Sequence, residues 1–587
     1  MNQKPIINCH THIFIGENVA PEIAKTILPF PMYKIITIPL IVKICRFWFT
    51  SKYSPYVFRF SFRFTFTKLQ KINLWFRNLW QSNFVVNFIY KTIGLIIVIY
   101  ATYFIAQFFL EIDVNFLNKY QDIFLEKINF PYQDLNIFKL IIIICSIVFI
   151  PIGRHLALVV LKASKKIPSL LFDKKYIDFA MRYINIGRYA YYKNQATIFS
   201  KLRQQYPKNT KFIVLPMDMQ FMEAGTTSAK GNYKSQMEEL KKIKNGSFGQ
   251  QILPFIFIDP RRIEIDQNKI DSVLEQPFFK WTTTNGKVIL GECFIKEYIE
   301  KEKFSGFKIY PALGYFPFDE KLLPLWKYAA DNGIPITTHC IKGTIYYRGK
   351  KQKQWNYHQV FKQRINSNPA EFKNLFLPSQ NNADFSNDFN HPLNYLCLLN
   401  PLLFNELVAQ SSQEIKDLFE YNSNNKTVKH NLSHLKICLA HFGGDDQWKN
   451  FLNSDRYNYA QQLIKKPDFG ITFIKKENLT KSHGTLENIW KHVDWYSIIC
   501  SLMLQYDNVY ADISYIIHDT EIFPLLKQTL NNEKLKPKVL FGTDFYVVRN
   551  HLTEKEMLVN TMFNLSEEEF DCIARDNPDK FLNQTVG

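Results

Sequence analysis

Two histidines stand close to the start of the chain, in Asn8-Cys9-His10-Thr11-His12. Side chains alternate along an extended strand, so this spacing puts both imidazoles on one face and turns Cys9 to the other, as a packed core thiol. Three more residues of similar chemistry close apolar runs. His339 ends Ile334-Pro335-Ile336-Thr337-Thr338-His339, and His441 ends Ile437-Cys438-Leu439-Ala440-His441 ahead of Phe442-Gly443-Gly444. Asp544 closes Val539-Leu540-Phe541-Gly542-Thr543-Asp544. Neutral imidazole and carboxylate are what a borderline-soft divalent cation prefers, and three or four such ligands with an open position make a catalytic zinc site. A metal held there brings the pKa of its water toward neutrality and so supplies a hydroxide nucleophile. An aspartate at the mouth can bind the metal and accept the water's proton, and a further histidine can polarise substrate or shuttle that proton.

Each residue also has a plainer reading. A lone His-x-His on a strand is more often structural, a histidine before Phe-Gly-Gly can cap a turn, and Asp544 can N-cap the helix that follows. Those readings leave unexplained why all of them fall at the ends of successive apolar runs. The remaining histidines lack that placement, although His391, in His391-Pro392-Leu393-Asn394-Tyr395, is a candidate for the substrate pocket. Asp218 and Asp259 follow further apolar runs and are candidates for substrate contact, with Asp259 before Pro260 equally readable as a turn residue.

The elements that must carry these residues are short apolar runs alternating with charged, helical stretches. That pattern predicts parallel strands with crossover helices. The strand candidates are 6–13, 211–216, 252–258, 306–310, 334–339, 435–441, 508–513 and 538–541. Eight strands with intervening helices predict a closed (β/α)8 TIM-like barrel, whose active site gathers at the C-terminal strand ends. Residues 1–19 supply the first strand, 20–175 form an insertion after it, and 176–587 supply the rest. A second insertion, at about 341–430, follows the fifth strand and has the length of a lid.

The first insertion reads as membrane-associated. Thr92–Leu110 is free of charge and apolar residues extend it upstream, which predicts a transmembrane helix over about 84–110; a second span is predicted at about 137–157. The connection between them is acidic, with Glu111, Asp113, Asp122, Glu126 and Asp134, while basic residues crowd both outer flanks. That asymmetry places the barrel on the cytoplasmic side of a two-span hairpin. The net charge of +19 would suit nucleic acid, and Phe58-Arg59-Phe60-Ser61-Phe62-Arg63-Phe64 could be a base-stacking strip. Because the basic residues lie beside hydrophobic spans, membrane-surface charge is the better reading, and nucleic acid is set aside. The cysteines form no CxxC pair, no cleavable signal peptide opens the chain, and the catalytic part is expected to be reduced.

In this order the residues resemble the amidohydrolase superfamily, nearest its amidohydrolase-related branch, which includes the aminocarboxymuconate semialdehyde decarboxylase-like enzymes. The resemblance covers residues 1 to about 15 and most of 176–587. Besides the His-x-His strand it includes Gly306-Phe307-Lys308-Ile309-Tyr310-Pro311, Ala440-His441-Phe442-Gly443-Gly444, Phe541-Gly542-Thr543-Asp544 and the closing Ile573-Ala574-Arg575-Asp576-Asn577-Pro578. It implies one Zn2+ or similar divalent ion on His10, His12, His339 and Asp544, with His441 as a catalytic or second-ligand histidine. Lys308 sits where some members carry a carboxylated lysine bridging two metals; the branch is usually mononuclear, which makes Lys308 a substrate-facing or structural lysine. The membrane hairpin and the long insertion after the fifth strand depart from the family pattern. The expected activity is hydrolysis of a carbonyl-type small molecule, with Asp544 and His441 catalytic. Non-oxidative decarboxylation on the same metal site and an inactive membrane sensor or scaffold are the alternatives.

Overall fold

Runs rich in Ile, Val and Phe form strands wherever both faces can be buried. The structure, a computed structural model, describes residues 4–20, 23, 84–110, 114–127, 139–143, 146, 189, 192–227, 231–268, 272–343, 345–365, 368–451, 453, 458–475, 479–547 and 551–583. Eight parallel strands form one sheet in chain order: β1 (Ile7–Thr11), β2 (Lys211–Val214), β3 (Ile252–Phe257), β4 (Gly306–Ile309), β5 (Ile336–Ile341), β6 (Ile437–Gly443), β7 (Val509–Asp512) and β8 (Val539–Leu540). Backbone bonds from Cys9 N to Phe541 O (2.8 Å) and from Asp544 N to His10 O (2.9 Å), with a parallel bridge between Thr11 and Phe545, join the last strand to the first. The sheet is therefore a closed barrel.

Alternate residues of the strands pack in two directions. Phe212, Val214, Ile256, Phe307, Ile309, Leu439 and Ala511 join the large core shared with the helices. Ile7, Cys9, Ile213, Leu215, Phe255, Cys438, Tyr510 and Leu540 form a small separate cluster, joined by Phe581 from the helix Asn577–Asn583. Burying each large apolar side chain contributes roughly 1.5–3 kcal/mol, so this double packing holds the strand ends firmly. Crossover helices such as Gln195–Arg203, Tyr233–Lys244 and Trp495–Gln505 start on side chains that accept from the first turn: Asn194 from Thr197 N, Asn232 from Ser235 N and Asp494 from Ser497 N.

Strand β1 departs from simple alternation. Asn8 pairs with Phe212 and Thr11 with Val214, so three steps on β1 face two on β2. This is a bulge, which places one extra residue on one strand and re-aims side chains. The bulge corrects the expected placement of Cys9: it is buried in the same interior cluster as Cys438, and the Cys438 thiol touches Asp512, the residue that His10 bonds. Cys9 is a packed thiol, as expected, but not on the face away from His10.

After β5 the predicted lid region contains an antiparallel hairpin, Tyr357–Ile365 with Asn368–Phe376, and helices Asn382–Asn390, Pro401–Gln410 and Gln413–Leu418. The chain divides into two compact units, Met1–Arg46 with Asn185–Gly587 (the barrel), and Phe47–Ile184. In the second unit, Phe84–Leu110 is a single 27-residue helix. Among the described residues it is the one helix long and apolar enough to cross a membrane, and only 28% of its apolar window is buried. The expected two-span hairpin is not seen: of the second span only 139–143 and 146 are described, and the basic run and Phe58–Phe64 strip lie outside the described residues. The acidic connection, expected as a loop, contains the helix Asn115–Lys127, because Phe116, Leu117, Tyr120, Ile123 and Phe124 recur at helical spacing there.

Candidate metal centre

The barrel's C-terminal end gathers His10, His12, His339, His441, Lys308, Asp512 and Asp544, all buried. The strands run slightly past the expected ends, so His339 and His441 sit inside β5 and β6 rather than at their last residues. Asp544 lies four residues beyond β8, in left-handed backbone at φ 62°, a conformation that costs a non-glycine residue and recurs at functional sites. His441 (φ 62°) and Phe442 (φ 45°) are also left-handed, followed by Gly443 (φ 84°) and Gly444 (φ 97°). The two glycines of the His441-Phe442-Gly443-Gly444 element have a steric reason. A Cβ on Gly443 would lie 3.0 Å from the Trp495 Cβ, and one on Gly444 would lie 2.7 Å from the Ile341 side chain.

Hydrogen bonds settle which nitrogen of each ring carries its proton. His10 Nδ1 donates to Asp512 Oδ2 (3.0 Å) and His12 Nδ1 donates to the Leu215 carbonyl (2.8 Å), leaving both Nε2 atoms bare. Those two Nε2 atoms are 3.3 Å apart, and Asp544 Oδ1 is 3.2 Å from the His12 Nε2 and 3.7 Å from the His10 Nε2. Three acceptors thus converge with no hydrogen to share, which is repulsive unless a cation lies between them. Two nitrogens at about 2.05 Å from a tetrahedral ion sit roughly 3.3 Å apart, so the spacing fits a divalent metal. The donor chemistry and the spacing make this cluster a candidate divalent metal site.

Ser514 and Asp512 fix the other pair. The Ser514 hydroxyl donates to Asp512 Oδ1, so its oxygen accepts from His441 Nδ1 at 2.9 Å. The Asp512 carboxylate also accepts from the backbone N–H groups of His441 (3.1 Å) and Ser514 (3.0 Å). Burial, with His10 close by, pushes the His441 imidazole down to about 3, so it is neutral and its bare Nε2 accepts from His339 Nδ1 at 3.1 Å. Burial likewise holds His10 and His339 well below the ordinary histidine range. The His339 Nε2 has no partner among the described residues, and its ring stacks on Tyr310 at 3.7 Å. The structure therefore brings His10, His12 and Asp544 together, and sets His339 beside His441 rather than within that triad.

Lys308, on β4, is fully buried, and its amine has no hydrogen-bond partner among the described residues. Burial pulls its pKa down to about 8, against the opposing pull of Asp512 and Asp544. His391 is elsewhere, accepting from Leu393 N and stacked on Trp490 at 3.9 Å. Asp218 accepts from Arg262 at 2.5 Å, and Asp259 is gripped by Arg261 at 2.6 and 2.8 Å while also accepting from Arg261 N, the turn role that was one of its two readings. Asp512 and Ser514 were not singled out in the sequence. Their signal was a carboxylate inside the apolar run Val509-Tyr510-Ala511-Asp512-Ile513, which cannot be buried without partners.

No family model matches the chain, and no curated protein matches it by sequence. Solved structures similar to it include an uncharacterized TIM-barrel protein from Bordetella bronchiseptica, at 10% identity and TM-score 0.31, covering 69% of this chain and 90% of that one. A dihydroxybenzoic acid decarboxylase from Polaromonas sp. JS666, with bound manganese and the inhibitor 2-nitroresorcinol, is 12% identical at TM-score 0.33, covering 66% and 85%. An amidohydrolase from Mycobacterium avium subsp. paratuberculosis is 14% identical at TM-score 0.28, covering 67% and 75%. At these scores the likeness assigns no activity to this chain.

Proposed function

We propose that the chain is a membrane-attached, metal-dependent hydrolase of the amidohydrolase type, acting on a carbonyl-type small molecule. The observation that supports it is the convergence of His10 Nε2, His12 Nε2 and Asp544 Oδ1, three bare acceptors in a buried site. These residues would hold one zinc-like divalent ion, with His339, whose Nε2 is unpartnered among the described residues, as the further ligand. Such an ion, when bound, supplies Lewis acidity that activates water and polarises a carbonyl. Asp544, buried beside His10 and His12, would accept the proton of the attacking water. His441, held in one tautomer by Ser514, keeps an unprotonated Nε2 that would take up and pass on a proton during the reaction. Lys308, buried near Asp512 and Asp544, would face the substrate, whereas His391, stacked on Trp490 in the insertion after β5, lies apart from the candidate ligands. The helix Phe84–Leu110 attaches the chain to a bilayer; because β1 precedes it and β2–β8 follow it, a barrel on the cytoplasmic side requires the chain to return across the bilayer after this helix.

Elemental analysis of the purified protein beside a His10→Ala/His12→Ala variant tests the reading. About one divalent ion per chain in the wild type, lost in the variant, is the outcome expected from the ligand set. The metal-loaded protein is then screened on amides, lactones and carboxylates, with an Asp544→Ala variant as the inactive control. Carbon dioxide released without net hydrolysis would reassign the chemistry to decarboxylation, and a wild type that holds no metal after reconstitution would remove the proposal.

A further inference from the structure

Strand β4 and the residue after it bring two hydrogen-bond donors to the candidate metal centre. Lys308 and Tyr310 are two residues apart, so an extended chain sets them on one side. Both lie close enough to Asp544 for its carboxylate to pull their pKa values upward. The Lys308 amine is buried with no partner among the described residues. Tyr310 bonds through its backbone: its N–H donates to the Tyr315 hydroxyl (2.9 Å) and its carbonyl accepts from Leu313 N (3.1 Å). Its own hydroxyl bonds to none of the described residues. Burial, with Asp544 nearby, holds that hydroxyl well above the ordinary tyrosine range, so the proton stays on and the group can donate.

The phenol is also fixed in place. Its ring stacks on His339 at 3.7 Å and 13° from parallel. The Tyr315 hydroxyl that holds its backbone donates in turn to the Ile258 carbonyl (3.0 Å), and Asn390 Oδ1 accepts from Ala312 N (3.0 Å), pinning the turn that follows. Gly343 marks where the hydroxyl points. That residue is exposed, and a Cβ on it would lie 3.4 Å from His339 Nε2 and 3.6 Å from the Tyr310 hydroxyl. A bare candidate ligand nitrogen and an unused donor therefore flank one spot at the rim of the site. Opposite the acceptors of His10, His12 and Asp544, the missing partner of such a donor is an oxygen that carries negative charge. Donors held in place before that charge appears stabilise it without reorganising. We infer that the Tyr310 hydroxyl donates to the substrate oxygen on which negative charge develops, with the positive charge of Lys308 on the same side. This inference rests on the metal-dependent reading given above.

The test uses full-length, zinc-loaded protein and two probes, titrated by calorimetry. Methylphosphonate has the tetrahedral, charged oxygens of a carbonyl centre after attack by water, and acetamide has a neutral planar carbonyl. Tyr310→Phe keeps the ring that stacks on His339 and removes only the hydroxyl. It is expected to bind zinc as the wild type does, and to bind methylphosphonate roughly 10- to 100-fold more weakly with a much smaller change for acetamide. Lys308→Met should also weaken methylphosphonate selectively. Unchanged methylphosphonate affinity in Tyr310→Phe, or equal losses for the two probes, overturns the donor role. Loss of zinc from Tyr310→Phe overturns it too, because Tyr310 would then act through His339. A zinc-loaded wild type that binds no methylphosphonate also removes the inference while leaving the metal site standing. A wild type that takes up no zinc fails one step earlier, at the reading on which the inference rests.

Discussion

At the scale of single residues, the site depends on groups that never need to touch a metal or a substrate. Asp512 holds the His10 Nδ1 proton, the backbone of His441 and the Ser514 hydroxyl at once. Partners of that kind set the orientation and basicity of ligating imidazoles. Asp512→Asn is therefore expected to weaken metal affinity roughly 10- to 100-fold, measured by competition with a chromogenic chelator, while the far-ultraviolet spectrum is unchanged. An unaltered affinity would mean that His10 needs no fixed tautomer. His358 makes a different prediction. It is fully buried, its Nδ1 accepts from the Val360 and Phe361 N–H groups (3.1 and 2.9 Å), and burial pushes its pKa down to about 3. Protonation would sever both bonds. The folded pKa lies below the unfolded one, so its contribution to stability is complete above about pH 6.5 and is lost as the pH falls, by about 2 kcal/mol at pH 5. Thermal unfolding at pH 7.5 and pH 5 should then show a smaller difference in a His358→Gln variant than in the wild type.

At the scale of elements, glycines decide how closely the strands approach. Gly542, within Phe541-Gly542-Thr543-Asp544, passes so near β1 that an added Cβ would lie 2.9 Å from the His10 Cβ and 3.1 Å from the Ser514 Cβ. Gly542→Ala should displace both residues, at a cost of about 1–3 kcal/mol, and lower metal occupancy in a protein that still folds. Occupancy equal to wild type would show that the seam yields without moving His10. The eight strands were legible in the sequence because apolar runs of four to eight residues, each followed by a helical stretch, leave little choice. Candidate ligands near their ends were legible for the same reason, and the structure brings His10, His12 and Asp544 together. The bulge in β1 was not, since an extra residue between Asn8 and Thr11 changes no composition and only pairing with β2 reveals it. Asp512 and Ser514 were hidden inside a strand whose neighbours are apolar. The helix Asn115–Lys127 was obscured by its charges, which read as a loop when counted rather than placed around a helix.

For the whole molecule, the two units make separable claims. Replacing residues 47–184 with a flexible linker should leave about one metal ion bound per chain, because the triad comes entirely from the other unit. The same variant should stop floating with vesicles in a density gradient. Continued flotation would place membrane attachment on the barrel itself. The barrel's closure carries a further consequence. His10 and His12 lie on the first strand and Asp544 just past the last, and the two strands meet at one seam. During synthesis the two candidate histidines emerge long before Asp544, which follows only after β8. No shortened chain that stops before β8 can assemble the triad. Metal loading of this candidate triad would follow the synthesis of β8, and a loaded molecule would certify that the first and last strands of the barrel had found each other.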